Sequence, residues 1–131
     1  MTTSPTIRAG LVVRRSDEED PSGLVAVCSL HNDGDEAVTI SLAPLLSPSL
    51  ALEVQDEQGA PVYLPPPPVP PAETPVSTLG PGEEHSVRFS GFLPSWVPPG
   101  RYRARFRYVP GGAGLRWSEQ EQQSEWVGFS V

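Results

Sequence analysis

Proline occupies 17 of the 131 positions, from Pro5 through Pro110. Inside a helix each would remove a hydrogen bond, clash with the preceding turn and cost about 3 kcal/mol, so a helical protein is disfavoured. The apolar residues between the prolines follow a period of two instead. Ile7, Ala9, Leu11 and Val13 alternate with Arg8, Gly10, Val12 and Arg14, which predicts a first strand. The stretch from Arg15 to Gly23 carries the acidic run Asp17, Glu18, Glu19 and Asp20 ahead of Pro21, and reads as a solvated turn. Leu24, Ala26, Cys28 and Leu30 then alternate with Val25, Val27, Ser29 and His31, apolar on nearly both sides, as in a central strand. Asn32 to Asp35 contains an Asp-Gly pair suited to a tight hairpin. It predicts that the next strand, with Val38, Ile40 and Leu42 inward, is the antiparallel neighbour of the strand before it.

Beyond Pro44 and Pro48 the alternation resumes, with Leu50, Leu52 and Val54 against Ala51, Glu53 and Gln55, followed by a turn at Asp56–Gly59 and a short edge piece at Val62–Leu64. Residues 65–82 hold eight prolines and almost no periodic apolar residues, which predicts an extended surface excursion. Val87 and Phe89 mark another strand, and the segment Phe92 to Gly100 turns into Arg101–Tyr108. There Tyr102, Ala104, Phe106 and Tyr108 face one way and Arg101, Arg103, Arg105 and Arg107 the other. Gly111–Gly114 belongs to a loop, Ser118–Glu125 is loop or one helical turn, and Val127, Phe129 and Val131 point inward on a closing strand. These signals describe an all-β protein: an immunoglobulin-like antiparallel β-sandwich of about seven strands, with a closed barrel as the alternative. The length suits a single domain over residues 1–131, with the Pro-rich loop 65–82 inside it.

Nine basic against 16 acidic residues leave a net charge of -7, which disfavours nucleic acid and anionic membranes as partners. All the basic residues are arginine, so neither a P-loop lysine nor Schiff-base chemistry is available. The single cysteine, Cys28, lies in an apolar run and reads as a small core residue. No basic and apolar leader pattern opens the sequence and no apolar run reaches membrane-spanning length, so the expected location is the cytoplasm. A chain without lysine and rich in Ala, Gly, Pro and Arg looks bacterial.

No catalytic constellation is visible in the sequence. His31 and His85 lie in no HExxH pattern, no serine sits in a GxSxG turn, and one cysteine with two histidines is too few for a zinc site. Asp33, Asp35, Asp56 and Glu57 could meet as calcium-binding loops, but their spacing is not that of a calcium loop and acidic residues favour turns anyway. No metal or cofactor is therefore expected, and no enzyme activity. The features that point outward are a basic row and two tryptophans. Arg101, Arg103, Arg105 and Arg107 concentrate positive charge on an acidic protein, unless Glu53, Glu83, Glu84 and other acidic side chains pair with them across strands. Trp126 should point outward if Val127 points inward, and would stack on the guanidinium row if the last strand pairs with the arginine strand. Trp96 lies in a proline-flanked corner, and Pro65, Pro66, Pro67, Pro68, Pro70 and Pro71 form overlapping PxxP patterns that an aromatic groove could read.

The segments VCSLHNDGDEAVTISL, LEVQDEQGAPV, LGPGEEHSVRF and PPGRYRARFRY, spanning Leu24 to Tyr108, resemble small bacterial immunoglobulin-like modules. They are similar to the BsuPI-type intracellular proteinase inhibitor domain and to the β-sandwich that precedes aspzincin metallopeptidase domains. The long proline insertion departs from both, and no inhibitory loop can be carried over residue by residue. The expected function is a non-enzymatic module binding another protein, one with an acidic surface; the alternative is an intracellular protease inhibitor, and a third reading is a small hydrolase.

Overall fold

The structure is a computed structural model and describes residues 7–15, 23–42, 45, 47–64, 76–108 and 122–131. Strand accounts for 59% and helix for 5% of these, as the prolines and the two-residue period require. The acidic run 17–20, the proline tract 65–71 and the Gly-rich stretch 111–114 lie outside the described residues.

β1 (Ile7–Arg15), β2 (Leu24–Asn32) and β7 (Glu84–Ser90) form an antiparallel sheet in the order β1-β2-β7, which makes β2 central as its two-sided apolar pattern predicts. The second sheet runs β10 (Val127–Ser130), β8 (Arg101–Tyr108), β4 (Leu52–Asp56), β5 (Pro61–Val62), with β9 (Gln122–Gln123) pairing the far end of β8. β3 (Val38–Ser41) and β6 (Val76–Leu79) make a separate two-stranded pair. All the pairings among the described residues are antiparallel.

Both larger sheets contribute to one apolar cluster. Ala26, Cys28 and Leu30 from β2 meet Leu52 and Val54 from β4 and Tyr102, Ala104, Phe106 and Tyr108 from β8. Around it, the Phe129 ring packs edge-on against Phe92 at 5.8 Å between centroids and stacks with Tyr102 at 6.0 Å. Burial pushes the Cys28 thiol up to about 12, as befits a core residue rather than a nucleophile.

Several expectations are corrected. β3 is not the hairpin neighbour of β2, because both edges of β2 are already paired, with β1 and β7. The turn forms, with Gly34 N–H donating to Asn32 Oδ1 at 2.9 Å, but it leads the chain out of the sheet. Buried Asn32 also donates through Nδ2 to the carbonyls of Glu36 (2.8 Å) and Leu79 (3.0 Å), stapling the turn to the end of β6. The stretch 65–82 is not wholly an excursion, since Val76–Leu79 is β6. Leu50 belongs to a single helical turn, α1 (Pro48–Ala51), with proline at its start, and is exposed rather than part of the strand that follows. Val131 is exposed too, its backbone exchanging hydrogen bonds with Gly100 instead of its side chain entering the core. Ten strand segments appear among the described residues where about seven were expected; the surplus consists of pieces of two to four residues.

The Tyr108 hydroxyl ties the small sheet to the large one. It donates to the Ser41 carbonyl (2.8 Å) and accepts from the Ser41 N–H (2.9 Å). Burial raises its pKa to about 12, opposed by the bond to the Ser41 backbone.

Candidate functional site

Alternation on β8 places Arg101, Arg103, Arg105 and Arg107 on the outer face of the five-stranded sheet, directly behind the buried Tyr102, Ala104, Phe106 and Tyr108. The polar face of β4 lies alongside in register, Glu53 opposite Arg105 and Gln55 opposite Arg103. On the other side β10 brings Gly128 opposite Arg103 and Ser130 opposite Arg101, with Trp126 immediately before the strand begins.

This register produces a stacked arrangement. The Arg103 and Arg105 guanidinium carbons lie 4.4 and 4.5 Å from the centroid of the Trp126 ring, so one indole serves two cations. Arg103 donates from Nε (3.0 Å) and Nη2 (2.6 Å) to the Gln55 side-chain oxygen. Arg105 donates from Nη2 to Glu53 at 2.7 Å, and Arg107 approaches the other oxygen of the same carboxylate at 3.4 Å. Arg105 is half-buried rather than solvent-facing, and its Nε is buried without a hydrogen-bond partner. Arg101 is exposed, and no side-chain hydrogen bond or ion pair joins it to another described residue.

Of Glu53, Glu83 and Glu84, the acidic residues expected to pair with the row, Glu53 does so. Glu83 folds back to accept from the Gly80 N–H at 3.0 Å, and Glu84 lies opposite His31, because β7 belongs to the other sheet. Among the described residues, Glu53 pairs with Arg105 and Arg107, and no ion pair joins Arg101 or Arg103 to a carboxylate. At the Arg101 end, that residue, Tyr102, Arg103 and the Asp56–Gly59 turn line an open depression of about 320 Å³. Arg15 approaches the same end, its Nη2 donating to the Ser130 carbonyl at 3.4 Å. Gln55 and Arg15 were missed as site residues; the signal for Gln55 was its place two residues after Glu53 on the polar side of an alternating strand.

Trp96 is 66% exposed on the β7–β8 connection, and no described contact joins it to the arginine row. Pro65, Pro66, Pro67, Pro68, Pro70 and Pro71 lie outside the described residues.

Elsewhere, His31 Nδ1 lies 2.6 Å from an Asp33 oxygen, and Arg8 stands 3.4 Å from the other oxygen. His31 makes no bond to a hydroxyl or thiol among the described residues. Asp56 accepts from the N–H groups of Gln58 and Ala60, both at 2.9 Å, which accounts for it as a turn residue. Among the described residues no group of three or more His, Cys, Asp and Glu could hold a metal ion, and no helix is long and apolar enough to cross a membrane.

No family model matches the chain, and no curated protein does. Among solved structures it is similar to a Bordetella pertussis protein provisionally designated ApaA, with a TM-score of 0.54 at 14% identity, over 100% of this chain and 98% of that one. A structural-genomics target, SoR45, aligns over 97% of this chain and 88% of its own at 15% identity, with a TM-score of 0.47. The first likeness confirms a β-rich fold; at that identity it carries no activity or partner across.

Proposed function

We propose that this chain is a non-enzymatic protein-binding module, acting in the bacterial cytoplasm, whose binding surface is the outer face of β8 with Trp126. The observation that carries this reading is the Trp126 ring flanked by two guanidiniums on a face where Glu53 pairs with Arg105 and Arg107 but not with Arg101 or Arg103. Tryptophan and arginine anchor protein interfaces out of proportion to their abundance. Ordering long side chains on binding costs about 0.5–1.5 kcal/mol each, and stacking on an indole removes part of that cost beforehand. A row of positive charge on a chain of net charge -7 favours an acidic partner surface and faster encounter with it. A buried, unpaired cysteine suits a reducing compartment.

Catalysis has little support beside this. The thiol is buried with its pKa pushed up to about 12, and among the described residues the His31–Asp33 pair has no hydroxyl or thiol bonded to it. The test is recovery of the native partner from host cells by the full chain and by an Arg101→Ser/Arg103→Ser variant of equal thermal stability. The partner should be captured by the first and lost by the second. Equal capture by both would remove the face from consideration.

A further inference from the structure

The four arginines are not equivalent, and the difference lies in β4. Glu53, opposite Arg105, contacts both Arg105 and Arg107, so one carboxylate serves that half of the row from within the chain. Two residues on, the position opposite Arg103 is Gln55, which holds the guanidinium through two hydrogen bonds and leaves its charge intact. Trp126 fixes the plane of the same group. Arg103 is thus positioned but not neutralised, Arg101 beside it is exposed, and Arg15 reaches the same end through the Ser130 carbonyl. Gly128, opposite Arg103, adds no side chain to cover it, and a Cβ there would meet only the Tyr102 carbonyl at 4.0 Å. The opposing charges at the rim are Glu57 and Asp56, the latter held in its own turn by backbone N–H groups and forming no ion pair with the row among the described residues.

We infer that the Arg101/Arg103 end of the row is the recognition subsite, and that it takes an extended acidic peptide segment carrying carboxylates two residues apart, with Gln55 as the residue that sets this specificity. This deepens the proposed function and rests on it. Arg101 and Arg103 sit at alternate positions of one strand, about 6.6–7 Å apart, which is also the side-chain repeat on one side of an extended peptide. Each guanidinium can then face one carboxylate, the geometry in which arginine forms its strongest hydrogen bonds. Glutamate at position 55 would place a second internal carboxylate against the row and occupy the group the partner needs.

The probe is a short fluorescein-labelled peptide of alternating Glu and Ser, compared with its Gln analogue, titrated against the full chain by anisotropy. Wild type should bind the Glu peptide and not the Gln analogue. Gln55→Glu should weaken binding by at least about tenfold, the scale of a single charge-assisted hydrogen bond, at unchanged melting temperature. Gln123→Glu adds the same charge opposite Arg107, at the other end of the row, and should change affinity less than about twofold. Equal losses in the two variants would overturn the inference, since the row would then act as an undifferentiated field. Failure of the Glu peptide to bind wild type would also overturn it. The broader reading fails separately, if the Arg101/Arg103 variant retains the native partner.

Discussion

The two sides of β8 carry the same number of residues and do opposite things. Inward, Tyr102, Ala104, Phe106 and Tyr108 are buried against β2 and β4. Outward, four arginines lie across a sheet face where Glu53 pairs with two of them and the Trp126 indole stacks on two. Burial of large apolar groups is worth several kcal/mol each, whereas exposed ion pairs are worth about 0–1 kcal/mol, so fold stability depends mainly on one side. The other side can vary its charge pattern at little cost to the fold. A strand of period two separates stability from recognition within eight residues.

The inward side should be the fragile one. Phe106→Ala is expected to unfold the domain or cost about 3–5 kcal/mol, read as a lower denaturant midpoint with unchanged slope. A loss below about 1 kcal/mol would mean that the core does not depend on this side of β8. Tyr108→Phe removes both bonds to the Ser41 backbone and should cost about 1–3 kcal/mol. The same variant sharpens the pH behaviour. The phenol's pKa is raised in the folded state from its ordinary value of 10.0 to about 12, so the folded state holds its proton longer than the unfolded one. Its stabilising contribution is present below pH 10 and lost as pH rises toward 12. Denaturation between those limits should therefore be less steeply pH-dependent in Tyr108→Phe than in wild type; parallel curves would refute the assignment.

Effects on the outward side should be smaller in stability. Trp126→Ala removes the ring beneath two guanidiniums and should cost about 0.5–2 kcal/mol, with near-ultraviolet dichroism reporting loss of the ordered indole. Arg101→Ser/Arg103→Ser should cost no more than about 1 kcal/mol in thermal or chemical denaturation. A larger loss would show that the outer row helps to hold the fold and would blur the division between the two sides.

Much of this division was legible in the sequence. The alternation in Arg101–Tyr108 gave the strand, its buried side and its charged side, and the position of Trp126 next to Val127 anticipated its place beside the guanidiniums. What escaped were matters of long-range pairing. The Asn32–Asp35 turn has the chemistry of a hairpin, yet turn chemistry does not say which sheet the chain enters next, and β3 pairs with β6 instead. β6 itself lies among prolines, with only Val76 and Leu79 as apolar signals, and its partner is far away in sequence. Asn32 looked like a turn residue, and its bonds to Glu36 and Leu79 depend on the fold being in place. In the candidate site, Glu53 was anticipated as a partner of the row, while Glu83 and Glu84 were expected there because the sheet that receives β7 could not be read from β7 alone.

The most direct test of the account is the association rate of the native partner with wild type and with Arg101→Ser/Arg103→Ser, measured over a range of ionic strength. An outer row that steers an acidic surface predicts a wild-type rate that falls steeply with added salt, and a slower, nearly flat rate for the variant. The same rate and the same salt slope in both proteins would contradict it.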